Sequence, residues 1–374
     1  MQKEGKKCFS LYRNPLFSNL SIIVNHKIIL KLYIMKLTTK NVLRFMATCA
    51  FCTFVSVTSS CGSDAPDVPD PTPKPTPEEP TPTPEPEPTP VPGESAELRI
   101  MSFNMRYPAS TDTGTKSWDS RKEPCVAMIK EQMPDVIAAQ ELRTAQREDL
   151  KKMLPEYSFV EIPNTGTGSG ANIVMLYLKN RFSLIESGHF FLSFTPDSPS
   201  RCFNVGDSQM RASVWLHLKD NNSGKEFIAL GTHFPTRAGN DYESAPYEEA
   251  RILSAELCIE RLRIKAGNDM MCFLMGDLNC SWKDKNGNTA RHGSQVQEVL
   301  LGWMKDARDE AKDLTPSGIT SYNAFGSGSM TPNRIIDHIF FRNAETIDFN
   351  TITKSYNGIS YLSDHYPIML RVKL

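Results

Sequence analysis

The amino-acid sequence predicts an α/β layered domain over residues 96–374, and three observations lead to that class. Short apolar runs of strand length recur along this stretch, and two of them are joined by a hairpin turn at 220–224. Segments with the apolar spacing of a helix lie between several of the runs. No internal repeat, glycine-rich phosphate loop or further linker interrupts the series. Strands mixed with intervening helices are typical of one layered α/β domain.

Strands are expected where an apolar run is short and bounded by turn or charged residues. Some runs, such as 135–140, are apolar almost throughout, which is typical of a strand that is buried on both faces. In chain order the predicted strands are 98–103, 135–140, 173–178, 212–218, 227–232, 271–275, 335–341 and 368–372.

Three helices are expected between these strands. Residues 120–133 have helical spacing, and Pro134 ends that helix because proline cannot continue the backbone hydrogen bonds. A second helix follows over about 144–154, and residues 247–265 give the clearest helical pattern. The apolar stripe of this last helix consists of Ile252, Ala255, Ile259 and Leu262.

Polar groups stand where the predicted strands begin or end. The last example is Asp364-His365, between a turn and the closing apolar run. The same arrangement recurs upstream in Ser102-Phe103-Asn104, Gln140-Glu141, Gly231-Thr232-His233, Gly276-Asp277-Leu278-Asn279 and Arg334-Ile335-Ile336-Asp337-His338. Polar groups that converge at strand ends are how open sheets build active sites. The sequence therefore predicts one site built from several strand ends.

The charge balance disfavours one class of function. Residues 1–95 hold 10 of the 42 basic and 9 of the 43 acidic side chains, which leaves 32 basic and 34 acidic ones in the domain. A protein that binds nucleic acid without regard to sequence usually has a basic excess. A long polyanionic substrate is therefore disfavoured, although it is not excluded.

The cysteines predict neither a zinc site nor a disulfide framework. Five of the nine fall in the domain, an odd number without paired spacing. Cys258 lies on the apolar side of the predicted helix 247–265, and Cys272 lies within an apolar run. We expect both to be small core residues.

The segment 35–60 has the order of a secretory signal peptide. A basic start at Met35 precedes the apolar stretch 45–57, and small residues lead to Cys61. This order resembles a bacterial lipoprotein signal, in which Cys61 would be lipidated and become the mature N-terminus. Position 58 is Thr instead of the usual Leu. Ordinary cleavage with full secretion is the alternative.

Two segments flank this signal. Residues 62–95 are dominated by Pro, Thr, Glu and Asp, a composition that favours an extended polyproline II spacer. Residues 1–34 precede the signal, although a signal peptide is expected at the N-terminus itself. We interpret them as an upstream extension misassigned to the protein, with translation starting at Met35. The alternative is a signal anchor at 16–34, which polar residues interrupt.

Taken in chain order, the six polar segments resemble those of the endonuclease/exonuclease/phosphatase family of deoxyribonuclease-like phosphoesterases. The resemblance covers residues 96–374. It implies a four-layer α/β sandwich in which two packed, mainly antiparallel β-sheets are flanked by helices. Trp118-Asp119-Ser120-Arg121-Lys122 and Phe190-Phe191-Leu192-Ser193 resemble a bacterial subgroup of the family.

The resemblance implies a divalent cation, Mg²⁺ or alternatively Mn²⁺. Phosphoester hydrolysis needs a hard cation on phosphate oxygens, an activated water and donors for the developing charge. Magnesium prefers oxygen ligands and keeps several waters, so one or two carboxylates suffice. Glu141 is the expected main ligand, assisted by Asn104 and Asp364.

The resemblance also assigns catalytic roles. Asp277 would orient or deprotonate the attacking water, and Asn279 would hold a phosphate oxygen. His365, oriented by Asp337, would donate to the phosphate or act on the nucleophile. His233 would bind phosphate or protonate the leaving oxygen.

Two more residues are assigned to substrate binding. Arg211 precedes a predicted strand, as an arginine does in many members of the family. Asn172 ends a loop where many members have a Tyr-Ser sequence, so it would take over that contact. His338 follows Asp337 directly and is expected on the opposite face of the sheet, in a structural role.

The predicted function is metal-dependent hydrolysis of a phosphodiester or phosphomonoester outside the cytoplasm. Nucleic acid, a lipid head group and a small phosphorylated molecule all stay open as substrates. Residues 190–194 are interpreted as a core strand, and the alternative is an aromatic hairpin for membrane insertion. We expect a monomer anchored by lipid alone at the outer membrane or cell surface.

The alternative function is a surface-displayed binding module of the same fold that has lost catalysis. Loss of the metal-binding Glu, the Asp-x-Asn motif or the closing Asp-His pair would indicate it. All three are present, at Glu141, 277–279 and 364–365. Their presence favours the enzyme.

Overall fold

Two β-sheets carry most of the regular structure of the chain. A computed structural model describes residues 97–162, 173–205, 210–236, 245–282, 293–328 and 334–374. The predicted leader, Cys61, the linker and Asn172 lie outside these residues. None of the described helices is long and apolar enough to span a membrane.

The strands follow the predicted apolar runs, with additional strands between them. In the described residues they are β1 (Glu97–Asn104), β2 (Val136–Gln140), β3 (Tyr157–Glu161), β4 (Val174–Leu178), β5 (Phe182–Phe191), β6 (Ala212–Asp220), β7 (Glu226–His233), β8 (Met271–Asp277), β9 (Lys305–Asp306), β10 (Lys312–Asp313), β11 (Asp337–Arg342), β12 (Glu345–Thr351) and β13 (Ile368–Lys373).

These strands form a seven-stranded sheet in the order β10-β12-β13-β1-β2-β4-β3 and a six-stranded sheet in the order β5-β6-β7-β8-β11-β9. We call them the first and the second sheet. Parallel pairs are β1–β2, β7–β8 and β10–β12, and the other described pairs are antiparallel. The predicted mainly antiparallel sheets are confirmed.

Helices cover the outer face of each sheet. In chain order the described α-helices are α1 (Trp118–Gln132), α2 (Thr144–Met153), α3 (Ala245–Ala266), α4 (Ser294–Leu301) and α5 (Ala307–Glu310). The end of α1 agrees with the role expected of Pro134, since the preceding Met133 takes a left-handed conformation that caps the helix.

Three apolar clusters separate the layers. One lies between the sheets and joins residues such as Ile100 and Val136 to Phe273 and Ile339. Another packs the helical stripe of α3 on the second sheet, and a third packs α1 and α2 on the first sheet. The order helix, sheet, sheet, helix confirms the predicted four-layer sandwich. Cys258 and Cys272 are buried free thiols, as expected.

The strands that the sequence analysis missed lie mostly at sheet edges. β3 and β5 are the outer strands of the two sheets, and the middle of β5 is exposed. An edge strand packs less apolar surface than a central one, so its apolar pattern is weak. Phe190 and Phe191 end β5 and are buried, whereas Phe194 is 44% exposed and packs edge-on against Phe203.

Candidate active site

Strand register brings three of the predicted residues together on the second sheet. β7 and β8 run parallel with His233 opposite Asp277, and β11 begins antiparallel with Asp337 opposite Asp277. Residues directly opposite each other in a sheet point to the same face. One imidazole and two carboxylates therefore lie together on one face of this sheet, at the ends of its strands.

The first sheet supplies the next two residues. β1 and β2 are parallel, with Asn104 opposite Gln140, and Glu141 follows directly. Glu141 has a left-handed backbone (φ 64°), which is uncommon for a residue other than glycine and clusters at functional sites. Its Oε2 accepts a hydrogen bond from the Tyr107 amide at 3.1 Å.

Asn104 connects the two sheets at these strand ends. Its Nδ2 donates to Asp277 Oδ2 at 3.0 Å and lies 3.4 Å from Glu141 Oε1, while its Oδ1 accepts from the Arg106 amide at 3.0 Å. The predicted metal ligand and the predicted water-orienting carboxylate thus flank one buried amide.

Asp277 is the most highly connected carboxylate of the site. His233 Nε2 lies 3.4 Å and His365 Nε2 lies 3.8 Å from its Oδ2, and the Asn279 amide donates to its Oδ1 at 2.9 Å. Burial by itself raises the pKa of Asp277, but the hydrogen bond and charge of His233, with the charge of His365, outweigh it and hold the pKa well below its usual range. Asp277 is therefore an ionised acceptor.

His365 forms a buried pair with Asp337. Its Nδ1 lies 2.8 Å from Asp337 Oδ2, and the Ser321 hydroxyl accepts from the Asp337 amide at 3.0 Å. Burial lowers the pKa of His365, but the carboxylates of Asp337 and Asp277 outweigh it and raise the pKa to about 10. The carboxylate behind Nδ1 leaves Nε2 directed toward Asp277.

Asp364 comes from the segment before β13. The Ser363 hydroxyl donates to the Asn104 carbonyl at 2.7 Å and lies 3.2 Å from Asp364 Oδ1, while Arg106 Nη1 lies 3.5 Å from Asp364 Oδ2. Burial raises the pKa of Asp364, and the nearby carboxylate of Glu141 adds to the rise, against the effect of His365. Two carboxylates this close to each other suit a shared cation.

The donor set on this side fits a divalent oxygen-loving cation. Glu141 and Asp364 supply carboxylate oxygens, and Glu141 is partly exposed, as an ion that keeps several waters requires. Asn104 turns its nitrogen toward Glu141 and Asp277, so its Oδ1 would reach a cation only if the carboxamide turned and gave up the bonds to Asp277 and the Arg106 amide.

A second grouping of ligand atoms fits a cation less well. Atoms of Asp277, Asp337 and His365 all lie within 4.8 Å of one another. However, the nitrogen of His365 that faces Asp337 already shares a hydrogen bond with it, and all three side chains are almost fully buried. A cation that keeps several waters therefore fits the partly exposed Glu141 side better.

Three further residues named in the sequence analysis lie around this group. Asn279 has φ 51°, and its Nδ2 donates to the Phe234 carbonyl at 3.1 Å. Arg211 is buried just before β6, next to β7 in the sheet. His338 lies on the opposite face, 3.0 Å from the Cys280 carbonyl and stacked on Trp282, and burial lowers its pKa to about 3. That environment agrees with the structural role expected for His338.

The sequence analysis missed two side chains at the site. Arg106 lies between Asp112, at 2.9 Å, and Asp364, at 3.5 Å, and it follows Asn104 by two positions. The ring of Tyr322 packs edge-on against His365 with centroids 5.0 Å apart. Arg106 could have been found as a cation beside a predicted ligand, whereas Tyr322 carries no local signal because it lies in a loop.

Fold and site together define a class: a four-layer sandwich whose strand ends converge on a group of carboxylates and a histidine–carboxylate pair. Residues 101–365 match the family model described as the endonuclease/exonuclease/phosphatase family. The chain therefore belongs to the endonuclease/exonuclease/phosphatase family.

Solved structures and viral sequences are similar to this chain. The mannosyl-6-phosphatase of Bacteroides thetaiotaomicron is 24% identical with a TM-score of 0.62, over 74% of this chain and 100% of that one. D. rerio TDP2, solved with a single-strand DNA product, is 19% identical with a TM-score of 0.53, over 75% of this chain and 100% of that one. An uncharacterised protein of Acanthamoeba polyphaga mimivirus is 26% identical over 50% of this chain and only 30% of its own length.

Proposed function

We propose that this protein is a divalent-metal-dependent phosphoesterase that hydrolyses a phosphodiester or a phosphomonoester by attack of an activated water. The observation that carries the proposal is the ionised Asp277, which is held between two imidazoles and the Asn104 amide. Membership of the family supports the reaction class.

Glu141, with Asp364 and Asn104, would hold Mg²⁺ or Mn²⁺. When bound, the cation would neutralise charge on the phosphate oxygens. The Arg106 guanidinium lies 3.5 Å from Asp364 and adds a fixed positive charge at the same place. A substrate phosphate would therefore meet positive charge on the side of the first sheet.

Asp277 would orient the attacking water, or accept its proton, through Oδ2, which faces the site. His365 is held as an imidazolium by Asp337 and donates from Nε2 to a phosphate oxygen. His233 lies on β7, next to the strand that carries Asp277, and its Nε2 also faces Asp277 Oδ2. It would protonate the leaving oxygen.

The substrate is either a phosphodiester or a phosphomonoester. The solved relatives include a protein named mannosyl-6-phosphatase and one solved with a DNA product. The slight acidic excess of the domain, 34 acidic to 32 basic side chains, favours a small phosphorylated molecule over a long polyanion.

The second candidate function is a catalytically silent binding module. The intact hydrogen-bonded set of Asn104, Asp277, Asp337 and His365 disfavours it, since a module without catalysis has no need to bury these charges.

We also propose that the protein acts outside the cytoplasm, lipid-anchored through Cys61 at the cell envelope, with secretion as the alternative. The signal-like segment 35–60 supports this location. Radiolabelled palmitate should be incorporated into the full chain and not into Cys61→Ser. Equal labelling of the variant would contradict the anchor.

The test of the enzyme is hydrolysis by the purified protein with Mg²⁺, Mn²⁺ or a chelator. The substrates are bis-p-nitrophenyl phosphate, p-nitrophenyl phosphate, a hexose 6-phosphate, plasmid DNA, RNA and sphingomyelin. We expect metal-dependent turnover that Glu141→Ala, Asp277→Ala and His365→Ala each abolish. Asp269→Asn, an exposed carboxylate at the other end of β8, is the matched control and should keep full activity. Absence of turnover by a folded, metal-binding protein would favour the binding module.

A further inference from the structure

Arg121 of α1 is a completely buried arginine whose guanidinium contacts three separate segments of backbone. Its Nε donates to the Lys116 carbonyl at 2.8 Å, and its Nη1 donates to the carbonyls of Met105 at 3.0 Å and Leu362 at 2.6 Å. Its Nη2 lies 3.3 Å from the Arg106 carbonyl. The accessible surface of the side chain is zero.

Two of these segments carry the candidate site. Met105 directly follows Asn104, and Leu362 precedes the run that contains Asp364 and His365. The Ser363 hydroxyl already joins these segments by its bond to the Asn104 carbonyl at 2.7 Å. Arg121 joins them a second time, from the helix layer below.

The charge of Arg121 is compensated by carbonyl dipoles. Among the described residues no carboxylate lies within ion-pair distance of it, and burial lowers its pKa. Burying an unpaired cation is costly, and an apolar side chain would fill the same space without that cost. The residue is therefore better explained by what its donors hold in place than by packing.

A strained loop covers the guanidinium on its other side. Phe325 lies with its ring 5.5 Å from the Arg121 guanidinium carbon. Ala324 and Phe325 have φ of 51° and 53°, and each left-handed residue costs roughly 1 kcal/mol or more. The amides of Asn323 and Ala324 both donate to the Asp364 carbonyl, at 2.8 Å and 3.0 Å. The loop that holds Asp364 thus rests on Arg121.

We propose that Arg121 is a positioning residue that sets the separation between Asn104 on the first sheet and the Asp364-His365 segment. The inference rests on the function proposed above only in the identity of the groups that are positioned. It also gives a role to the segment Trp118-Asp119-Ser120-Arg121-Lys122, which the family resemblance identified without assigning a function to it.

Only arginine has the donors for this role. A guanidinium presents five N–H groups in a planar fork, whereas a lysine ammonium presents three donors from one point. Arg121→Lys keeps the charge and most of the volume but cannot reach the carbonyls of Met105, Lys116 and Leu362 together. The variant therefore separates the geometry of the clamp from its charge.

The test combines hydrogen–deuterium exchange with Mn²⁺ binding and hydrolysis. In Arg121→Lys we expect at least tenfold faster exchange of the hydrogen-bonded amides of Met105, Tyr107, His365 and Tyr366. We expect Mn²⁺ affinity without substrate to fall at least tenfold and hydrolysis to fall at least as far. Phe325→Ala removes the covering ring from a partly exposed position and should produce the same pattern more weakly, even if Arg121→Lys fails to fold.

The matched control is Arg181→Lys. Arg181 also joins separate segments, through Asp135, Asp220 and the Glu97 carbonyl, but at the opposite end of β1. It should lower the melting temperature without changing exchange at the site or Mn²⁺ affinity.

Three results decide the inference. If folded Arg121→Lys or Phe325→Ala changes the melting temperature but neither local exchange nor Mn²⁺ affinity, Arg121 is only structural and the inference is overturned. The same holds if Arg181→Lys produces the same local changes. If the wild-type protein hydrolyses nothing while Arg121→Lys loosens both segments, the proposed function fails and the positioning role stands.

Discussion

Asp277 is contacted by side chains from both sheets of this protein. It accepts a hydrogen bond from Asn104 of the first sheet and lies beside His233 of its own sheet. An ionised carboxylate in so buried a position is stable only with such partners. Removing a partner should therefore change the chemistry of Asp277 as well as its packing.

Glu141 lies on the metal side of the site, beside Asn104, and Glu141→Gln should lower metal affinity. The amide keeps the size of the side chain and removes its charge, so Mn²⁺ should bind at least tenfold more weakly in calorimetry. The melting temperature without metal should hardly change, because Glu141 is partly exposed. Unchanged Mn²⁺ affinity would remove Glu141 from the ligand set and favour the grouping around Asp337.

Asp337 is the hydrogen-bond partner of His365, and Asp337→Asn should slow turnover. The variant removes the charge that holds His365 as an imidazolium, 2.8 Å away. We expect kcat to fall by roughly 10²- to 10⁴-fold, the usual contribution of a positioned acid or base, with KM changed much less. His338→Gln on the opposite face is the control, and kcat should stay within about threefold. A higher KM with an unchanged kcat would contradict the orienting role.

At the scale of elements, two glycines let the strands of the site approach closely. A Cβ on Gly231 of β7 would lie 2.9 Å from the Ala138 Cβ in the facing sheet and would also meet the sulfur of Met175. A Cβ on Gly276 of β8 would overlap the carbonyl group of Thr232 in the neighbouring strand. Both glycines precede site residues by one or two positions, at His233 and Asp277.

Gly276→Ala should therefore destabilise the pairing of β7 with β8. Overpacking of a buried position costs about 1 to 3 kcal/mol, and backbone cannot move away as a flexible side chain can. We expect that loss in urea unfolding, together with lower hydrolysis under folding conditions, because the His233–Asp277 pair is displaced. Gly302→Ala, at an exposed helix end with φ −60° where a Cβ would lie 3.3 Å from the nearest atom, should change both much less. Equal stability of the two variants would contradict the close approach.

The start of α5 gives a prediction about pH. Asp306 caps this helix by accepting from the Arg308 amide at 3.0 Å, and burial, with the nearby charge of Asp309, raises its pKa from 3.8 to about 7. The folded protein therefore binds this proton more tightly than the unfolded chain does. The contribution is stabilising below about pH 4 and is lost as pH rises through about 7.

Asp306→Asn keeps the capping oxygen and removes the charge. Its free energy of unfolding should exceed that of the wild type at pH 8 by on the order of 2 kcal/mol, and the difference should nearly vanish at pH 4. Urea unfolding at both pH values measures this. The exposed Asp269→Asn is the control and should show no such pH dependence. A difference that is equal at both pH values would contradict the buried charge.

At the scale of the whole molecule, the described residues, with their cores and all described site residues, lie in one compact unit, Glu85–Leu374. Residues 96–374 alone should therefore unfold in one transition and hydrolyse with the kcat/KM of the full chain on soluble substrates. A loss of more than about tenfold would mean that the leader or linker contributes to the site.

Much of this fold was predictable from local pattern. The central strands β1, β2, β7 and β8 are apolar on both faces, so their runs are evident in the sequence. The edge strand β3 and most of the edge strand β5 were missed, because few of their side chains are fully buried. The site residues on strand ends were identified because their chemistry is unusual beside an apolar run.

The sequence by itself determined which strands carry polar ends and therefore which chemistry the protein has available. Only the tertiary structure decided how those ends meet. Asn104 and Asp277 are 173 positions apart, and Arg121 and Leu362 are 241 positions apart, yet both pairs are hydrogen-bonded. Local periodicity reports which face of an element is buried, whereas such distances depend on how the layers pack. For that reason the contacts of Tyr322 with His365 and of Arg121 with Leu362 became evident only in the folded molecule.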